Sequence, residues 1–209
     1  MNVLVIGGTR GVGGATVNGA HAAGHTLTVM ARNAAGFAEP VSGVRMVVGD
    51  VADAADVERA TAGQDAVVWA VGVPPTRRPV HVFSRGTQFL LAAMDKHRVR
   101  RLVCVTGIGA GDSRGHGGFL YDHVLRPFFL ASIYDDKDRQ EQQLQRSDVD
   151  WTIVRPGMLT NAPATGLVRA LIDLEGVTAG KVSRADVAGF IVDHLRTGEY
   201  RKTAVLLTS

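Results

Sequence analysis

A chain of 209 residues, 45% hydrophobic and 21% charged, is long enough for one globular domain with a full core and excludes a disordered polymer. The formal charge is only +3 and the basic residues are scattered, with Arg98, Arg100 and Arg101 the densest group. A pI near 9.3 therefore reads as a solvated surface, with no nucleic-acid partner expected. The single cysteine excludes a disulfide framework, and no run reaches the ~18 apolar residues of a membrane helix, so no membrane partner is expected.

In chain order, a strand is predicted at once over 2–6, with no basic region and long apolar stretch before it, which predicts a cytoplasmic protein. It runs into Gly7-Gly-Thr-Arg-Gly-Val-Gly13, spaced G-x-x-x-G-x-G, and then a helix over 12–23. One glycine makes the tight turn, one lets backbone approach a pyrophosphate, and one lets helix and strand pack closely. The free N–H groups and the helix dipole favour a dianion there, so Gly7, Thr9, Arg10, Gly11, Val12 and Gly13 are candidate dinucleotide contacts. A second strand, 26–30, leads to Arg32 with no carboxylate before Glu39. An acidic residue at that point holds the ribose hydroxyls of NAD, whereas a cation suits the 2′-phosphate of NADP. Arg32 and Arg10 thus point to NADP(H).

Further strands are predicted at 44–48, 65–70, 100–106, 151–154 and 203–207, with helices at 53–61, 80–97, 133–147 and 183–197. Asp53 and Ser183 are the expected helix caps. Unbroken apolar runs such as Val67-Val-Trp-Ala70 suit strands covered on both faces. The alternation predicts an α/β protein: one domain over 1–209, a doubly wound parallel sheet of Rossmann type, order 3-2-1-4-5-6 plus a C-terminal strand, helices on both faces. Residues 107–131, glycine-rich and then apolar, and 157–180 fall beyond strand carboxyl ends and are expected to form the substrate-side lid. Phe119, Tyr121, Phe128 and Phe129 are there to stack on a planar ligand or to pack the lid. The seven histidines and one cysteine show no metal-binding spacing, Cys104 reads as a core thiol, and Ser113 has no visible catalytic partner.

The glycine turn, the pair Gly49-Asp50, the segment from Asp56 through Gly63-Gln-Asp-Ala66, and Trp151-Thr-Ile-Val-Arg-Pro-Gly157 together resemble the atypical short-chain dehydrogenases/reductases. The likeness covers nearly the whole chain and is strongest to the biliverdin reductase B/flavin reductase-like group, with the NmrA-like regulators as cousins. It implies that Asp50 and Val51 lie against the adenine, and that Ala70, Val71 and Gly72 follow the ribose and pyrophosphate. It also implies that Thr106, Pro156, Gly157, Met158 and Leu159 border the nicotinamide and that Lys137 reaches the cofactor. Thr106 and Lys137 are the implied catalytic residues. The departures are Tyr134 and Lys137 standing three apart where conventional members have Tyr-x-x-x-Lys, Gly107 where the resembled reductases carry serine, and Met158 where they can offer histidine.

The resulting expectation is an NADPH-dependent reductase acting on a planar conjugated acceptor such as a flavin, quinone, tetrapyrrole or related secondary metabolite. The alternatives are an NADP(H)-binding redox sensor without turnover, or a non-redox isomerase or cyclase on the same fold. A monomer or a weak dimer are both compatible with the sequence. With no evident tyrosine acid, Tyr134→Phe is expected to do little.

Overall fold

Alternating side chains along each apolar strand bury both sheet faces, and the helices divide accordingly. In the computed structural model, which describes residues 1–33 and 42–209, the strands are β1 (Asn2–Ile6), β2 (Thr26–Ala31), β3 (Arg45–Val48), β4 (Ala66–Trp69), β5 (Arg101–Val105), β6 (Asp150–Pro156), β7 (Met158–Thr160), β8 (Arg169–Leu171), β9 (Lys181–Ser183) and β10 (Thr203–Thr208). The helices are α1 (Gly11–Ala22), α2 (Ala54–Thr61), α3 (Val82–Lys96), α4 (Ala131–Gln145) and α5 (Arg184–Thr197). The main sheet runs β3-β2-β1-β4-β5-β6-β10-β8, parallel except for β8, so the expected order and the C-terminal strand beside β6 are both present.

Odd and even positions go to opposite layers. Val3 and Val5 of β1, with Val68, Val103 and Val205, pack against Val17 of α1 and Val187 and Ile191 of α5. Leu4 and Ile6, with Val67, Trp69, Leu102 and Ile153, meet Val57 of α2, Leu90 and Met94 of α3, and Leu144 of α4. Cys104 is in this second layer, and burial pushes its thiol pKa up, as a core role requires. Asp53 accepts from the N–H groups of Ala55 and Asp56, and Ser183 from that of Asp186, so both predicted caps form.

The structure corrects two expectations. Arg101 is not a solvated surface residue: it is buried and donates to Asp150 O, Thr152 Oγ1 and His194 O, tying β5 to β6 and α5. The sheet expected to be parallel carries one antiparallel edge strand, β8 on β10, and the stretch 157–180, expected only as part of the lid, also holds β7, paired with β9. Three-residue strands are too short to show a period. Within 107–131, a single short turn at Gly111–Ser113 is followed by a wide π-helical stretch, Tyr121–Leu130, that contains Pro127 and buries no residue.

Candidate active site

The carboxyl ends of the parallel strands open into a cleft of about 940 Å³. Strand order reverses between β1 and β4, where an open α/β sheet leaves a crevice. At its base, Gly7 has a positive φ of +83° and stands so near the Ala70 carbonyl that a Cβ would sit 2.7 Å from it. A Cβ on Gly13 would collide with Gly7 O, so this glycine is what lets α1 press against β1. These tight approaches leave Gly11 and Val12, at the first turn of α1, lining the cleft.

Of the candidate residues, Gly7, Thr9, Arg10, Gly11, Val12, Arg32, Asp50, Val51, Ala70, Val71, Gly72, Thr106, Lys137, Pro156, Gly157, Met158 and Leu159 all line this one cleft. Gly13 is packed behind it. Among the lining residues, Arg10, Arg32, Lys137, Lys181 and Arg184 are cations and Asp50 is the one carboxylate, so the cleft attracts an anionic ligand. Glu39 lies outside the described residues.

Beneath the far end, a buried polar chain fixes the floor. Lys137 donates to the Thr106 carbonyl oxygen, and Thr106 Oγ1 donates to Glu141 Oε1 at 2.6 Å. Glu141 pairs with Arg155 at 2.6 Å, both 2% exposed, and Arg155 reaches on to Asp112. Burial lowers the Lys137 pKa to about 8, partly offset by Cys104 and Glu141. Because Thr106 spends its only proton on Glu141, it offers lone pairs to the cleft and is no proton donor. Tyr134 also lines the cleft, and burial raises its pKa. Its ring meets Tyr121 edge to face, with centroids 6.3 Å apart.

A family model described as NAD(P)H-binding matches residues 7–197. The chain belongs to the NAD(P)H-binding family. Among curated relatives, this NAD(P)H-binding protein is 29% identical over 143 residues to the "uncharacterized sugar epimerase YhfK" of Bacillus subtilis, covering 67% of this chain and 61% of that one. It is 28% identical to the UPF0659 protein YMR090W of Saccharomyces cerevisiae over 208 residues, 93% of this chain and 87% of the relative. ChuY, an anaerobillin reductase from Escherichia coli O157:H7, superposes with a TM-score of 0.85 at 23% identity, over 100% of this chain and 97% of ChuY. A short-chain dehydrogenase/reductase from Veillonella parvula in complex with NADP gives a TM-score of 0.81 at 16% identity, over 100% and 94%. At these identities the two structures show the shared fold alone.

Several site features of this NAD(P)H-binding protein were not legible in its sequence. Lys181 and Arg184, from β9 and α5, reach the cleft opposite the glycine turn, and a Cβ on Gly11 would stand 3.9 Å from Arg184 Nε. They are about 170 residues from that turn, so no spacing announces them. Of the four lid aromatics, only Tyr121 faces the cleft, joined by Leu125 and Leu130. Phe119, Phe128 and Phe129 are exposed away from it, and His123 stacks on Phe119 at 4.7 Å. The wide helix rotates these positions out of register with an ordinary helical face. His116 bonds Val177 O and Ser113 bonds Ala110 O, so both serve the loop that carries them.

Proposed function

We propose that the chain is an NADPH-dependent reductase that delivers hydride to a planar conjugated acceptor of the flavin, quinone or tetrapyrrole kind. The observation that carries this reading is the far half of the cleft, where Thr106 and Gly107 face Gly157 and Met158 under an apolar wall of Tyr121, Leu125 and Leu130. Such a slot holds a flat ligand by shape and stacking and needs few direct hydrogen bonds.

The residues present fit the cofactor. The N–H groups around Gly7, Thr9, Gly11 and Val12 would take the pyrophosphate, and Arg184 adds a cation beside them. Arg10 and Arg32 would hold the 2′-phosphate, Asp50 and Val51 the adenine side, and Ala70, Val71 and Gly72 the path between. Pro156, Gly157, Met158 and Leu159 would border the nicotinamide, Thr106 would accept from its amide, and Lys137 would supply positive charge below it. When bound, the reduced nicotinamide supplies the hydride that no side chain can. The segments 107–131 and 157–180 act as walls that exclude water, and one domain over 1–209 carries the whole site.

The fold neighbour named as an anaerobillin reductase supports the reductase reading. One observation favours a second reading, a redox sensor: the chain lacks Tyr-x-x-x-Lys. The epimerase name of the Bacillus relative fits poorly with an apolar slot, which would leave a sugar's hydroxyls without partners.

The reading is tested by NADPH absorbance decay with flavin mononucleotide, menadione and biliverdin, for which steady oxidation with at least one acceptor is expected. Tight NADPH binding with no turnover would replace the enzyme by the sensor. In the same titrations, Arg10→Ala with Arg32→Ala should weaken NADPH ~10–100-fold more than NADH, the loss of one charge-assisted contact of ~1.5–3 kcal/mol. Equal losses would remove the NADP assignment.

A further inference from the structure

We infer that a second cavity, on the outer side of Tyr121–Leu130, is an effector site for a flat aromatic acid, coupled to the cleft through that shared wall. The inference goes beyond the reductase reading and does not depend on turnover. It needs only a chain that binds NADP(H).

The cavity holds about 650 Å³ and, among the described residues, shares no lining side chain with the cleft. One wall is the end of the wide helix, where Phe128 and Phe129 are 63% and 47% exposed. The other is the loop after β4, through Arg77, Val80 and His81. That loop is pinned to α4. Ser132 Oγ accepts from the Val80 N–H at 2.9 Å and donates to Arg78 O at 2.8 Å, and Arg139 donates to Val80 O at 3.1 Å. A wall already fixed in this way leaves less to order when a ligand binds.

The lining selects the ligand. Two neighbouring phenyls with no core to fill offer a large apolar surface to a flat ring. Arg77 lies over the Phe129 ring, 5.7 Å from its centroid, and meets no carboxylate among the described residues. Stacking holds the guanidinium ready to present its paired N–H groups. Arg139 uses Nη2 for both Val80 O and Asp136, which leaves Nε and Nη1 to a ligand. Arg77, Arg139 and, when protonated, His81 face a single lining carboxylate, Asp135. A planar ring bearing a carboxylate or sulfonate answers both the phenyls and the guanidinium groups.

The coupling follows from the shared wall. Leu125 and Leu130 of the wide helix line the cleft, while Phe128 and Phe129 of the same helix line the cavity. The loop is shared too, with Val73 and Pro74 on the cleft and Arg77 onward on the cavity. No residue of Tyr121–Leu130 is buried, so fixing this helix costs conformational entropy. A ligand on one side that fixes it spares the other ligand that cost. NADP(H) and the aromatic acid therefore strengthen each other's binding, by the same factor in both directions.

The test is calorimetric titration of 2-naphthoate into the wild type, with and without saturating NADP⁺. Naphthoate should bind, and about 5-fold or more tightly with NADP⁺ present. The neutral analogue 2-naphthalenemethanol should bind at least ~10-fold more weakly than naphthoate. Arg77→Ala with Phe129→Ser, both exposed positions, should keep NADP⁺ affinity within about twofold and weaken naphthoate ~10-fold or more. Naphthoate binding that NADP⁺ abolishes puts the ligand in the cleft and overturns the inference. An affinity that NADP⁺ leaves unchanged, or that the double variant retains, overturns it as well. So does the absence of binding at about 1 mM naphthoate. Self-association relieved by Phe128→Ser would then assign the phenyls to an interface between copies of the chain.

Discussion

Lys137 illustrates how a single side chain couples stability to the site. Its sequence surroundings, Asp135, Asp136 and Asp138, suit an exposed helix face, yet the ammonium is buried under Thr106 O. Burial lowers its pKa from 10.5 to about 8, so between those values the unfolded chain keeps a proton that the folded chain has released. Stability therefore rises with pH across that window, and the full cost of burying the charge applies below it. Measured by urea unfolding, the wild type should gain on Lys137→Met by up to about 3 kcal/mol between pH 8 and 10.5. Parallel stability curves for the two proteins would mean that the lysine is solvated in solution. The same substitution should weaken NADPH binding, because it removes positive charge from the cleft floor.

Among the elements, α4 has the most work and the least obvious means of doing it. Its mean hydropathy is low, and it is held less by an apolar stripe than by Asp136, Gln140 and Glu141, all buried. Asp136 accepts from the N–H of Phe83 at the start of α3, Gln140 donates to Thr87 of α3, and Glu141 locks to Arg155 of β6. Buried networks of this kind fix geometry, here with Gln140 Oε1 left unpaired, and the cost appears when one member is removed. Glu141→Ala leaves Arg155 charged in the interior and should cost about 3–5 kcal/mol in chemical denaturation. Glu141→Leu with Arg155→Met should recover most of that loss, since an apolar pair needs no desolvation. A mild effect of the single variant would show that Asp112 suffices for Arg155.

For the whole molecule, the division is between a rigid sheet and a looser rim. The sheet carries the glycine turn and the ends of β5 and β6, whereas no residue of Tyr121–Leu130 is buried. Low packing of this sort opens locally at little free-energy cost. Tyr121, Leu125 and Leu130 nevertheless face the cleft, so a ligand there adds contacts to the rim. Limited trypsin digestion should cut at Arg114 in the loop leading into this rim, and saturating NADPH should slow that cut more than cuts at Arg196 or Arg201. Equal slowing at all three would mean that the cofactor stabilises the fold globally and that the rim is no lid.

The chain's sequence by itself determined the sheet order, the helix caps, the glycine turn and the placement of Arg10 and Arg32 on one cleft. These follow from local periods and short spacings, which neighbouring residues impose on one another along the chain. Only the tertiary structure decided that Arg101 and Lys137 are buried and that Phe119, Phe128 and Phe129 turn outward. It also brought Arg184 to the glycine turn and Lys181 to the cleft, and set the Tyr134 hydroxyl in the gap at Gly107. Each of these depends on which distant backbone segment stands opposite, and a side chain's own neighbours in sequence carry no record of that.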